Sequence, residues 1–171
     1  MMRLHGYRSE WLEVLRRQDE LLRTEKMTAE DALELGLIMV RLAKEVYKAP
    51  MAFKIILGGQ TTFSYLMDGA SSYNEWWMSK KLNTCLATGV SSILTLVEIG
   101  VGVRTPDPEF DNANNYALCG GCIPLRNRAG HLLGYVLTSG MAHHLDHNLA
   151  VDALCEFLHV DAPRLEGSVE D

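Results

Sequence analysis

The sequence predicts an α+β domain in which helices pack on an antiparallel sheet. Three observations carry this. Apolar residues recur at helical spacing in five segments and in strand-length runs in four others. The strand runs stand in two adjacent pairs rather than alternating with helices, which is the grouping of an antiparallel sheet. The chain has 171 residues, 47% hydrophobic and 22% charged, a size and balance suited to one packed core.

Along residues 9–23, Leu12, Leu15 and Leu22 lie on one side among charges, the pattern of an amphipathic surface helix. In a second helix Thr28 is a cap, Glu30 and Asp31 favour the N-terminal dipole, and Ala32, Leu35, Met39, Leu42 and Val46 form a stripe that ends at Pro50. Residues 52–57 and 60–67 flank Gly58-Gly59, whose freedom at positive φ suits a two-residue hairpin turn. Ser72 and Glu75 form a capping-box pattern for a third helix reaching about residue 87, and Gly89 ends it. Ser91 and Ser92 open a fourth helix with Ile93, Leu96, Val97 and Gly100 on one face. Residues 105–115, with two prolines and several Asp and Asn, read as a surface loop. Residues 116–125 and 131–138 read as the second strand pair, with Gly120-Gly121 as a bulge or close approach. Asp146 is the expected cap of a last helix lined by Ala150, Ala153, Leu154, Phe157 and Leu158.

Composition excludes some functions. The net charge of -6 opposes binding to nucleic acid or anionic lipid, which needs clustered cations. No apolar stretch reaches membrane-span length, since residues 93–103 are short and contain Glu98. The N-terminus lacks an apolar signal region, so a cytoplasmic protein is expected. Four cysteines are expected as free thiols. The organisation reads as an N-terminal helix and lead-in over 1–27, a domain over 28–160 and a flexible acidic tail over 161–171.

Three segments carry a resemblance: Trp77-Met-Ser-Lys-Lys-Leu-Asn83, Tyr116-Ala-Leu-Cys-Gly-Gly-Cys-Ile-Pro-Leu125, and Ser139-Gly140 followed by Asp146-His147. In this order they resemble the HbpS/GlcG-like (heme-degrading domain) family over residues 28–158. The resemblance implies a profilin-like antiparallel sheet flanked by helices, a homo-oligomer that is a dimer or a ring of dimers, and heme as a ligand. Where the family pattern has His before the Gly-Gly pair, this chain has Cys119, so no role of that His carries over.

The candidate ligand-binding residues in these segments are Trp76, Trp77, Lys80, Lys81, Asn83, Gly120, Gly121 and His147. Indole supplies contact area and ammonium pairs with a carboxylate such as a heme propionate. Adjacent helical residues diverge by about 100°, so one of Trp76 and Trp77 is expected at a subunit interface or pocket. Cys119-Gly-Gly-Cys122 has redox-pair spacing, and with His143 and His147 it could complete a two-Cys, two-His zinc set. The competing reading is buried strand cysteines, a capping Asp146 and histidines on the surface or at an interface. No nucleophile triad or phosphate loop is present and no catalytic residue is assigned. The ending Val169-Glu170-Asp171 resembles acidic C-termini that dock in tetratricopeptide-repeat cochaperones. The leading reading is a non-catalytic homo-oligomeric binding protein for heme or another small ligand. A cochaperone-docking adaptor and a thiol- or metal-dependent enzyme are the alternatives.

Overall fold

The computed structural model describes residues 1–169. In chain order the elements are α1 (Trp11–Leu21), α2 (Ala29–Leu42) with a π-helical turn (Ala43–Tyr47), β1 (Ala52–Leu57), β2 (Gln60–Leu66), α3 (Ser72–Thr88), α4 (Ser92–Gly100), a 3-10 turn (Pro108–Asp111), β3 (Cys122–Arg126), β4 (Leu132–Ser139) and α5 (His143–Leu158). The strands form one sheet in the order β2-β1-β4-β3, antiparallel at every pairing. Each predicted strand pair is a neighbour in the sheet, and β1 against β4 joins them.

The sheet separates two apolar layers because side chains alternate along each strand. Phe53 and Ile55 of β1, Val136 of β4, and Ile123 and Leu125 of β3 pack with α2 and α5 on one face. Ala52, Cys122, Tyr135 and Leu137 meet Met78 and Cys85 of α3 on the other. A third cluster joins Trp11 and Leu15 of α1 to Ile93, Leu94 and Val97 of α4. Gly58 and Gly59 take φ of 56° and 80° in the β1–β2 turn, the conformation that turn requires.

Several local expectations shift. Ser71, not Ser72, caps α3, and the Asn74 side chain, not Glu75, completes the capping box. The π-helical turn ends the regular stripe of α2, and Val46 is exposed; one extra residue in the turn rotates the side chains that follow. Residues 116–121 are not strand, and β3 begins only at Cys122. Asp146 lies inside α5 rather than at its cap, which is Ala142.

The segment expected as a flexible tail is packed as far as the structure describes it. Ala162 and Leu165 are buried, the Trp11 indole donates to the Glu166 carbonyl at 2.8 Å and the Gln18 amide to the Pro163 carbonyl at 2.7 Å. Val169 rests against the α1–α4 cluster. Glu170 and Asp171 lie outside the described residues.

Candidate functional site

Helix α3 turns Met78, Lys81 and Cys85 inward, at spacings of three and four. Two of these are apolar and the third carries an ammonium. The Lys81 Nζ donates to Asp146 Oδ2 at 3.0 Å and to the Thr138 carbonyl at 2.9 Å, with 3% and 2% of the two side chains exposed. Asp146 Oδ1 accepts from the Met141 amide at 2.9 Å, and the Thr138 hydroxyl donates to the Asp146 carbonyl at 2.9 Å. The pair therefore ties α3, the end of β4 and the first turn of α5 together. Burial works against the Lys81 ammonium, but the Asp146 carboxylate, with Cys119 and Cys122 adding to it, holds the group above the usual lysine range. Burial lifts the Asp146 carboxyl above the usual carboxylate range, against the pull of Lys81.

The Gly120-Gly121 pair is a close approach. A Cβ on Gly120 would stand 2.3 Å from the His143 carbonyl oxygen, and one on Gly121, at φ 128°, would stand 2.4 Å from the Thr138 carbonyl oxygen and 2.5 Å from Lys81 Nζ. Glycine is needed here so that the chain entering β3 can pass between α5 and the buried ammonium. The Gly120 amide donates to His143 Nδ1 at 2.9 Å. An accepting Nδ1 leaves the proton on Nε2, which donates to the Gly6 carbonyl at 2.8 Å. The N-terminal segment is thereby held across the start of α5.

Between these elements lies a cavity of about 250 Å³ whose lining includes His5, Trp77, Lys81, Cys119, Met141 and His143. A second cavity of about 250 Å³ adjoins it, lined by Arg3, Lys80, Trp76 and Tyr116 among others, with His5, Tyr73 and Trp77 common to both.

The sequence candidates are only partly brought together. Lys81, Trp77, Cys119 and His143 share the first cavity. Trp76 and Trp77 diverge less than expected, because both rings close on the Lys80 ammonium, at 3.7 and 3.6 Å. Asn83 points elsewhere and donates to the Asn115 carbonyl at 2.8 Å. His147 is buried between α5 and α1, where its Nε2 meets Gln18 Oε1 at 2.8 Å. It lines neither cavity, and burial, with His143 nearby, pushes its pKa down to about 3.

The residues named for zinc or redox chemistry lie in different surroundings. His143 and His147 sit on one helix, both buried rather than on the surface. Both ring nitrogens of His143 meet backbone groups, and His147 meets Gln18 through Nε2, its buried Nδ1 having no hydrogen-bond partner among the described residues. Cys119 lines the cavity while Cys122 packs into the α3 layer beside Cys85. Burial pushes the Cys122 thiol well up, reinforced by its hydrogen bond with Cys85. No group of three or more His, Cys, Asp or Glu is placed to hold a metal ion among the described residues.

Sequence reasoning missed His5, Asn74, Ser139 and Met141 as lining residues. Ser139 lies in one of the segments that carry the resemblance, and the charged Lys81 at an inward α3 position was a usable signal.

Residues 27–155 match the family described as "Haem degrading protein HbpS-like". The chain belongs to the HbpS-like family. Among relatives, this HbpS-like chain is 31% identical to a UPF0303 protein of Rhizobium meliloti over 156 residues, covering 87% of the chain and 91% of the relative. It is 31% identical to one of Schizosaccharomyces pombe over 143 residues, covering 82% and 80%. The crystal structure of the Ybr137w protein superposes with a TM-score of 0.74 at 26% identity, covering 86% of this chain and 87% of that one. A structure described as a PduOC:heme complex superposes with a TM-score of 0.64 at 20% identity, covering 82% and 99%. Such neighbours establish that the α+β sheet-and-helix architecture of this HbpS-like chain is shared with HbpS, whose crystal structure superposes with a TM-score of 0.59 at 16% identity, covering 80% and 92%. No single helix of the described residues is long and apolar enough to cross a membrane.

Proposed function

We propose that this HbpS-like protein is a non-catalytic, homo-oligomeric binding protein that takes a small polar molecule in the cavity beside Lys81 and Asp146. The ion pair at the cavity wall carries the reading. A buried pair is no better for stability than apolar residues of the same shape, and Lys81 keeps a third N–H beyond the two it donates to Thr138 and Asp146. A site combining that donor with the apolar walls of Trp77 and Met141 suits recognition. Bond-making chemistry finds less support, since the ammonium is held charged and both His143 ring nitrogens are engaged. All four cysteines are free and buried, which supports a reducing compartment.

Heme does not fit the arrangement of the described residues. Trp77 lines both cavities, each falls below the range of about 300–1,000 Å³ common for drug-sized ligands, and His143 offers no lone pair to iron. The proposed ligand is therefore smaller than a tetrapyrrole. Thermal-shift screening of small hydroxy acids, oxo acids and amides, with hemin as a comparison, tests the site. At least one compound is expected to raise the melting temperature, with the shift lost in the cavity-filling variant Met141→Trp. A full screen without a stabiliser, or a stabiliser indifferent to that variant, would overturn the reading.

Homo-oligomerisation is supported by β2, an edge strand of the sheet whose sequence Gln-Thr-Thr-Phe-Ser-Tyr-Leu has neither charge nor proline. Such an edge is open to pairing with a second copy about a two-fold axis. Tyr65 and Leu66 on this strand, and Leu33 and Leu37 one turn apart on α2, are exposed. Sedimentation velocity is expected to give a mass above the 19.1 kDa of one chain, falling to that value in Thr62→Lys/Ser64→Lys. A monomeric parent, or a variant that stays assembled, would remove this interface.

A further inference from the structure

We infer that the second cavity, between α3, the N-terminal segment and the 105–115 loop, is a separate binding site for a small planar carboxylate. This goes beyond the Lys81–Asp146 site and rests on different residues. In a chain of net charge -6, Arg3, Lys80 and Lys81 converge on one corner, and only Lys81 has a carboxylate partner. Neither Arg3 nor Lys80 forms an ion pair among the described residues.

Lys80 is 4% exposed. Its ammonium is met by the Trp76 and Trp77 faces and by the Ala113 carbonyl at 3.2 Å. Indole faces and a carbonyl attract a cation but do not neutralise it, and burying an uncompensated charge is costly. Burial pulls Lys80 below the usual lysine range, offset in part by the nearby Cys119, while Arg3 and Lys81 repel it. The corner thus holds a standing excess of positive potential inside a walled space, which an anion entering the cavity would relieve. Of the acidic residues in this loop, Asp107, Glu109 and Asp111, none pairs with Lys80 or Arg3: Asp107 accepts from the Glu109 amide and Glu109 from the Tyr116 hydroxyl, both bonds within the loop and its end.

The walls specify the rest of the ligand. Arg3 is exposed and presents a planar fork suited to a carboxylate. Trp76, Phe110, Tyr116 and Leu118 supply flat and apolar surface, which favours an unsaturated carbon body over inorganic phosphate. The volume of about 250 Å³ limits that body to one or two rings.

Titration calorimetry of the full chain with 2-naphthoate tests this. Saturable one-to-one binding per chain is expected, at least tenfold weaker in Arg3→Gln, at least tenfold weaker for the uncharged 2-naphthamide, and weakened by added salt. The cavity-filling Met141→Trp in the other cavity is expected to leave it unchanged, so failure of the Lys81–Asp146 reading and failure of this one are told apart. Absence of saturable heat, equal affinity in Arg3→Gln, or loss of binding in Met141→Trp alone would overturn the proposal.

Discussion

Replacing Lys81 by Met is expected to lower the free energy of unfolding by about 3–5 kcal/mol, the usual cost of removing one partner from a buried ion pair. The loss comes mainly from what is left behind. The Asp146 carboxylate is 2% exposed and would be left with backbone donors alone, at Met141 and Gly140, once the ammonium is gone. The double variant Lys81→Met/Asp146→Asn is expected to recover more than half of the loss, because Asn keeps an oxygen acceptor for the Met141 amide and leaves no unpaired charge. Urea denaturation of the parent, the single and the double variants measures this directly. A single-variant loss under about 1 kcal/mol, which is the range of exposed pairs, would mean that the pair is solvated and the cavity wall misread. Recovery of stability in the double variant without recovery of ligand stabilisation would separate the pair's role in recognition from its role in folding.

The second large effect is on pH dependence. His147 has its pKa pushed from 6.5 to about 3, first by burial and then by His143. Between those values the unfolded chain binds a proton that the folded chain excludes, so stability rises with pH in that window. The contribution is complete above 6.5 and falls by about 1.4 kcal/mol for each unit of acidification toward 3. Between pH 7 and pH 5 the urea-derived stability is expected to fall by about 2 kcal/mol from this residue. His147→Gln, which can still donate to Gln18 and does not titrate, is expected to remove that part of the slope. Parallel pH profiles for parent and variant would show that His147 is reached by solvent or protonated in the folded state.

The reach of sequence reasoning divides along a physical line. Helices, strands and turns of this chain were legible because their signals are local: the Thr28 cap, the glycines at 58 and 59, and apolar spacing along α2, α4 and α5. Some errors were local ones of a single residue or turn, as with Ser71 in place of Ser72 or the π-helical turn that exposes Val46. The non-strand residues 116–121 and the packed segment after residue 161 depend on distant contacts. The antiparallel sheet was readable from the pairing of neighbouring strands, and the family from three segments in order.

What only the tertiary structure decided is which side chains face one another. Lys81 and Asp146 are 65 residues apart, and no spacing rule foretells that a helical lysine and a carboxylate one turn into another helix meet beneath a strand end. Cys119 and Cys122 looked convergent by count, yet β3 begins between them and sends one thiol to the cavity and the other into the core. His143 and His147 read as groups of the surface or an interface, yet both are buried, where Gly6 of the N-terminal segment and Gln18 of α1 meet α5. Local conformation follows from short-range sterics and hydrogen bonding that a sequence carries along its length. The burial that turns a charge into a site is created by the packing of distant segments against it.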